Sequence, residues 1–467
     1  MTTLAVAYAG GAVTPGDILR SLTTMADLVF VTDGSAPTRA LRPLFESAGN
    51  VVELTGDSAA DISAVRAYQP DGIVTYCETM IRPAAEIADA LGLRFHTPAT
   101  ARLLTDKYLQ RHRLTEAGVD AIAFARVDTH ADIESALDRV PMPAIVKPVH
   151  GAASRDTHAV RDAGECRDLL TRLLAASGSG SFIVEQFLVG DPVGRFGDYV
   201  SVESVVTPAG PVHFGVTGKL PMLWPFRETG QIAPAPVHPH VADTAVELTS
   251  AALQALGLTY GITHTELKLT PQGPRIIEVN GRIGGNMSEL YGRATGADLV
   301  RIAAEIALGV PVSPVGPARP GVFFNSCLQP PVEARELLAV QGVPDHPHVR
   351  HRPFARPGFT MPTTLSTCNL DLFTGWAADH DEMEETLEAC VAELTYVFRT
   401  DDGERSYGGL SLLRQRRSDS PQGGGAASSR ATPATDGRPL RDTAIQGVGE
   451  GSKEAAVKSG GAPPPGT

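Results

Sequence analysis

Lysine is nearly missing from this chain. Only six of its 40 basic residues are lysine, and two of those, Lys453 and Lys458, lie close to the C-terminus. Lys107, Lys147, Lys219 and Lys268 serve all the rest of a 467-residue sequence. A chain that meets almost every need for positive charge with arginine has reason to keep lysine where a compact charge on a flexible stem works better, and phosphate contact is such a place; codon bias with a few survivors would leave the same scarcity. Cysteine is sparse as well. Its five residues, Cys77, Cys166, Cys327, Cys368 and Cys390, are odd in number and scattered, and the absence of any CxxC pair speaks against a zinc site or a disulfide framework. No apolar run approaches the roughly 20 residues of a membrane helix. The opening stretch MTTLAVAYAGGAV has neither the basic start nor the small-residue cleavage site of a secretory signal. A cytoplasmic protein is therefore expected. A net charge of −13 argues against nucleic acid or an anionic membrane as a dedicated partner.

What is present is ample apolar material, 42% of residues against 20% charged, in a length that allows about three domains. Residues 1–100 alternate buried-strand runs, LAVAYAG (4–10), LVFVTD (28–33), VVELTG (51–56) and GIVTYCE (72–78), with helical segments, the pattern of a parallel sheet covered on both faces. Gly10-Gly11 follows the first strand, but GGAVTPG is not GxGxxG, so it reads as a tight turn and not as a dinucleotide fingerprint. Residues 101–311 mix helices with antiparallel strands, and 143–200 form a smaller unit within them. VPVSPVGPARPG (310–321) marks a boundary, and 312–417 follow as an α+β segment with few signals. Residues 418–467 are dominated by Gly, Ala, Ser, Pro and Thr without an aromatic side chain, too little apolar surface to offset the entropy of ordering, and are expected to be disordered.

Two places carry chemistry. Thr265–Gly281 reads as a hairpin turning around Pro271–Pro274. Strand alternation puts Glu266 and Lys268 on one face of the first strand and Glu278 and Asn280 on one face of the return strand. With the turn centred on Gly273, Glu266 faces Asn280, Lys268 faces Glu278, and Leu267, Leu269, Ile277 and Val279 point to the core. Hard oxygen ligands of this kind suit Mg²⁺, commonly held by one or two carboxylates and substrate phosphates; an amphipathic hairpin with a solvated charged face has the same pattern. The second place is Lys147-Pro148 followed by HGAASRD. Small residues let backbone N–H groups approach an anion and Ser154 adds a hydroxyl, although the Walker A order is absent. A plain hairpin loop after a half-buried lysine would look alike.

In order along the chain, TDK (105–107), IVKPVHGAAS (145–154), IVEQFLVG (183–190), SVES (201–204) and TELKL…IIEVNGRIGG (265–285) resemble the ATP-grasp superfamily, in particular its ADP-forming carboxylate–amine ligases of the L-amino-acid ligase and peptide ligase type. The resemblance covers roughly residues 70–310. It implies an ATP-grasp fold of mixed α/β and α+β character, with a Rossmann-like parallel-sheet domain before it. It also implies ATP and Mg²⁺ (or Mn²⁺) as cofactors, amino-acid-like carboxylate and amine substrates, an acyl-phosphate intermediate, a setting in secondary metabolism and a homodimer. Carried over residue by residue, Lys107 and Lys147 contact phosphates and Ser154 closes over them. Glu185 meets the adenine amino group beside Phe187 and Leu188. Glu266, Glu278 and Asn280 hold metal, Arg282 holds the transferring phosphoryl group, and Gly284-Gly285 offer N–H groups to the reacting carboxylate. The chain departs from the family at Tyr199, where an acid usually meets the ribose, which leaves Asp198 or Asp191 for that contact. It departs again at Gln231, where relatives often have histidine, and at Arg155-Asp156. Glu78, Arg227, His264 and Arg293 are candidate substrate contacts; His264 also suits plain packing, and Lys268 suits neutralising the Glu266/Glu278 pair. A carboxylase or purine-type ligase with another acceptor, or a non-catalytic nucleotide-binding protein, would share most of these features.

Overall fold

The computed structural model describes residues 2–152, 154–177, 180–191, 193–224, 226–344, 346–362 and 367–415. The expected tail at 418–467 lies outside them. The first sheet is fully parallel, in the spatial order Gly49–Glu53, Asp27–Thr32, Thr3–Tyr8, Gly72–Thr75. Its central strand is buried from Leu4 to Tyr8, as expected for a parallel strand covered on both faces. The helices Pro15–Leu22, Ala36–Glu46, Ser58–Arg66 and Ile81–Leu91 provide that cover, together with Leu299–Leu308 from far along the chain. At the C-terminal edge of the sheet Gly10 and Gly11 make the tight turn (φ 84° and 135°). A Cβ on Gly11 would come 2.7 Å from the Tyr76 carbonyl oxygen, so no other residue fits where the chain passes the neighbouring strand.

A second, antiparallel sheet has the order Phe124–Val127, Phe182–Gln186, Ala144–Pro148, His158–Val160. Helices Ile133–Arg139 and Ala163–Ser177 pack on it. It draws in a strand that precedes residue 143.

The largest sheet has eight strands and is antiparallel throughout: Gly273–Asn280, Gly261–Thr270, Tyr199–Thr207, Gly210–Lys219, Gly230–Ala233, Val322–Ser326, Asp371–Ala377, Val349–Pro353. Its last three strands come from beyond residue 321, where the sequence held few signals. A three-stranded sheet of Ala334–Gln341, Thr395–Thr400 and Gly403–Gly408 and the helix His380–Ala392 share a core with them. No helix among the described residues is long and apolar enough to cross a membrane.

The hairpin exists, but its register differs from the expectation. Glu266 lies opposite Glu278, His264 opposite Asn280 and Lys268 opposite Arg275, with a bulge between Glu266 and Leu267. Leu267 then pairs with Ile276, which leaves Ile277 as the extra residue. Ile276, Val279, Leu267 and Leu269 are buried against the helix Pro239–Ala255, whereas Ile277 turns to the opposite face. The bulge has identifiable partners. Arg111 Nη2 donates to the carbonyls of both Ile276 (2.8 Å) and Ile277 (3.1 Å), and Asp120 Oδ2 accepts from the Ile276 amide (2.9 Å). Gln110 exchanges two hydrogen bonds with the Val279 backbone, at 2.9 and 2.8 Å. The outer strand of the sheet is thus sealed by the helix Lys107–Glu116 and the residues just after it, which satisfies backbone groups that an edge strand would otherwise leave open.

Candidate active site

The parallel sheet, the four-stranded antiparallel sheet and the eight-stranded sheet, with their connections, surround one cavity of about 590 Å³. Lys107, Lys147 and Lys268 line it, and the remaining lysine of the described residues, Lys219, is buried beneath it with its ammonium 5.7 Å from the Tyr199 ring centre. Of the candidates read from sequence, Glu78, Ser154, Glu185, Phe187, Leu188, His264, Glu266, Glu278, Asn280, Arg282 and Gly285 also line the cavity.

Each charged group is placed by a local device. Asp106 ends the helix Pro98–Thr105 and caps the next, its carboxylate accepting from the Leu109 amide at 2.9 Å. Lys107 therefore starts a helix at the cavity wall. Its ammonium donates to the Gly151 carbonyl (2.6 Å) and meets Glu278 at 3.0 Å. Burial works against its charge, but the carboxylates of Glu278, Glu78 and Glu185 hold its pKa above the ordinary lysine value. One turn on, Arg111 reaches Glu185 (3.0 Å) and Asp120 (3.3 Å). Lys147, near the end of its strand, meets the other oxygen of Glu185 at 2.5 Å. Burial alone would raise the Glu185 pKa; Lys147 and Arg111 overcome it and hold the carboxyl down at about 2.

On the hairpin, Glu266 meets His264 Nε2 at 3.3 Å, and His264 Nδ1 meets Glu203 at 2.8 Å. Ser201 donates to the same Glu203 oxygen. Burial disfavours the imidazolium, yet Glu203 and Glu266 raise its pKa to about 9, and the histidine in turn holds Glu266 well below the usual carboxylate range. Arg282 donates to Glu78 (3.0 Å), to the Ile283 carbonyl (3.0 Å) and to Asn280 Oδ1 (3.1 Å). Burial pushes the Glu78 carboxyl up despite Arg282 and Lys107. Gln231 donates to the Gly285 carbonyl at 2.9 Å and accepts from Asn325 at 3.0 Å, which fixes the backbone at Gly285.

Several expected placements do not hold. Asp198 does not line the cavity: it pairs with Lys268 at 2.7 Å, so Lys268 neutralises Asp198 and not the Glu266/Glu278 pair. Arg227 is turned away, its guanidinium donating to the Pro330 carbonyl at 2.8 Å. Arg293 pairs with Glu289 and donates to the carbonyls of Gly375 (2.5 Å) and Phe324 (2.9 Å), joining its helix to the central sheet. Gly284 packs face-on to His264, where a Cβ would lie 2.5 Å from Nδ1; Gly285 alone of the pair opens on the cavity. Glu185 has both carboxylate oxygens engaged by cations. Sequence reasoning missed Arg111, whose only signal was its position four residues after Lys107 on one helix face. It also missed Glu203, Glu228, Arg352, Phe354 and Asn369. All of these but Glu203 line the cavity; Glu203 is buried behind it, inside the SVES motif that was read without a role for its acid, and nothing local marks the others.

Among the described residues no three His, Cys, Asp or Glu side chains form a ready-made metal cage. The donor set fits a cation that completes its shell from a phosphate ligand: two carboxylates directly opposite each other in the ladder, both lining the cavity, with the Asn280 amide nearby.

Residues 140–289 match the ATP-grasp domain family. The chain is 28% identical over 262 residues to alanine–anticapsin ligase of Bacillus subtilis (strain 168), covering 52% of this chain and 55% of that one. It is 28% identical over 290 residues to carnosine synthase 1 of Homo sapiens, covering 56% and 33%. The chain thus spans about half, or less, of the length of the curated relatives it matches. In fold it is similar to an L-amino acid ligase from Bacillus licheniformis, with a TM-score of 0.71 and 22% identity over 86% of this chain and 99% of the other. The ATP-grasp fold expected from the motifs is the fold observed.

Proposed function

We propose that the protein is an ATP-dependent, ADP-forming carboxylate–amine ligase that joins two amino-acid-like substrates through an acyl phosphate. The observation that carries this reading is the convergence of Lys107, Lys147, Arg111 and Arg282 with the Glu266/Glu278 pair in one cavity. Phosphoryl transfer asks for positioning and charge neutralisation more than for covalent help, and that is what such a set supplies.

In this reading Phe187 and Leu188 wall the adenine. Lys107 and Lys147 contact the phosphates, and Ser154 with its loop amides closes over them. Glu185 holds Lys147 and Arg111 in place. Glu266, Glu278 and Asn280 hold a divalent cation, Mg²⁺ or Mn²⁺, which when bound neutralises and orients the terminal phosphates. Arg282, steadied by Glu78 and Asn280, faces the transferring group. A carboxylate oxygen of the first substrate bonds to the γ-phosphorus as the bond to the bridging oxygen of ADP breaks. The amine nitrogen of the second substrate then bonds to the acyl carbon, the carbon–oxygen bond to phosphate breaks, and the amine's proton leaves with phosphate or solvent. A closed loop excludes the water that would hydrolyse the intermediate. Such chemistry belongs in the cytoplasm, where ATP is held, and the small-molecule ligases among its relatives favour a role in secondary metabolism.

The test is release of ADP and phosphate that requires both a carboxylate and an amine, with hydroxylamine added to trap the activated acyl group as a hydroxamate. Release of AMP and pyrophosphate, or ADP release indifferent to both substrates, would overturn the proposal.

A further inference from the structure

The reaction proposed above leaves two charges untouched. If both substrates are α-amino acids, the first keeps its ammonium and the second keeps its carboxylate. A site that binds them needs one acid and one base that are not committed to each other or to phosphate.

The cavity holds such a pair. Glu78, Glu185, Glu266 and Glu278 each have a cationic partner, Arg282, Lys147 with Arg111, His264 and Lys107 respectively. Lys268 is held by Asp198. Among the described residues the lining carboxylate of Glu228 meets no cation. Its one side-chain partner is the Tyr199 hydroxyl, which donates to it at 3.4 Å. Arg352 likewise meets no carboxylate among the described residues; its guanidinium lies 4.7 Å over the Phe354 ring, and both line the cavity. The other uncommitted lining cation, Arg155, belongs to the loop after Lys147 that faces the phosphates.

The backbone at Glu228 is held by the C-terminal segment, which also supplies Arg352. The Glu228 amide donates to Thr367 Oγ1 (3.2 Å), and the Glu228 carbonyl accepts from Gln329 Nε2 (2.9 Å). Gln329, fully buried, also donates to Asn369 Oδ1 at 2.6 Å. Arg352 sits on Val349–Pro353, the edge strand at the far side of the eight-stranded sheet from Glu278. Tyr199 links Glu228 to the carboxylate cluster: its hydroxyl reaches Glu228, and on its strand it lies opposite Lys268, two residues from Ser201, which faces Glu266. A group bound at Glu228 is therefore close to the carboxylate cluster, as the α-ammonium of a reacting amino acid must be.

We infer that Glu228 receives the α-ammonium of the amino acid whose carboxylate is activated, and that Arg352 receives the α-carboxylate of the amino acid that supplies the amine. The product is then a dipeptide with both termini read. This assignment rests on the ligase reading and adds to it the residues that tell the two substrates apart.

The experiment uses the full chain and steady-state ADP release. The pair of common L-amino acids giving the fastest release serves as the probe, together with the desamino analogue of the carboxyl donor and the carboxamide of the amine donor. Glu228→Gln raises the KM of the carboxyl donor about 10- to 100-fold, the scale of one charge-assisted hydrogen bond, and leaves the KM values of ATP and the amine donor near wild type. It also removes the enzyme's preference for the amino acid over its desamino analogue. Arg352→Gln does the converse, raising the KM of the amine donor and removing the preference over the carboxamide. Thermal unfolding checks that both variants fold, and Glu228→Asp and Arg352→Lys retain part of each preference. Retention of both preferences in the Gln variants, or an equal rise of all KM values in each, overturns the assignment while the ligase reading stands. No ADP release from the wild-type chain with any pair overturns the ligase reading and this assignment together.

Discussion

Replacing Glu185 by glutamine tests whether this carboxylate is a nucleotide contact or the keystone of the cation cluster. Its side chain is 6% exposed and sits between Lys147 at 2.5 Å and Arg111 at 3.0 Å. A carboxyl moved from 4.5 to about 2 by its surroundings corresponds, at about 1.4 kcal/mol per unit, to about 3 kcal/mol of folding stability. The sign follows from the direction of the shift. A depressed carboxyl contributes fully above its unfolded pKa near 4.5, and the contribution is lost as pH falls through about 2. Urea denaturation of wild type and Glu185→Gln at pH 7 should therefore differ by about 3 kcal/mol, and the difference should shrink steadily below pH 4.5 because protonated glutamate and glutamine are near equivalents. The unfolding slope should stay the same in both proteins. A difference below about 1 kcal/mol at pH 7 would refute the reasoning, since the pair would then be as weak as a surface ion pair. A loss of the same size at every pH would refute it too, by pointing to packing and not charge. An unchanged stability with a raised KM for ATP would restore the adenine contact implied by the family motif.

Glu266→Ala and Glu278→Ala should each lower kcat by about 100-fold or more and raise the Mg²⁺ concentration needed for half-maximal phosphate release, because each removes one carboxylate of the facing pair proposed to hold the cation; a normal metal titration in both would remove the metal assignment. The buried imidazolium of His264, raised to about 9, contributes stability that is complete below pH 6.5 and is lost as pH rises through 9, so wild type should lose stability relative to His264→Gln between those values in denaturation series. Gly284→Ala drives a Cβ to 2.5 Å from the His264 ring and should cost about 1–3 kcal/mol in thermal unfolding, where Gly285→Ala, with nothing within 4 Å of its added atom, should be near neutral in stability. Arg293→Met should lower the melting temperature through the loss of two carbonyl contacts while leaving the KM values of ATP and both substrates unchanged.

How far the sequence could be read follows the range over which each feature is determined. The parallel sheet was legible because each strand is an unbroken apolar run, a local property that needs no partner to be recognised. The cavity-lining residues Lys107, Lys147, Ser154 and Arg282 were legible as a group because they lie in short motifs whose order is itself informative. The hairpin was legible as a hairpin but not in register. The expected pairing of Glu266 with Asn280 assumed an unbroken ladder, whereas the bulge at Ile277 is held by Arg111 and Asp120, more than 150 residues away in the chain. The same separation hides Arg111 itself, an ordinary helical arginine until Glu185 and the hairpin fold over it. Glu228 and Arg352 were harder still, because what singles them out is the oppositely charged partner each lacks among the described residues. That property appears only once the charges around them have found their own partners: Lys268 with Asp198, Lys107 with Glu278, Arg282 with Glu78. The scarcity of lysine was the one global signal that survived. Three of the four lysines in the described residues line the cavity and the fourth lies buried beneath it, which is the distribution expected if a compact ammonium is kept for oxyanions and arginine serves the rest of the surface.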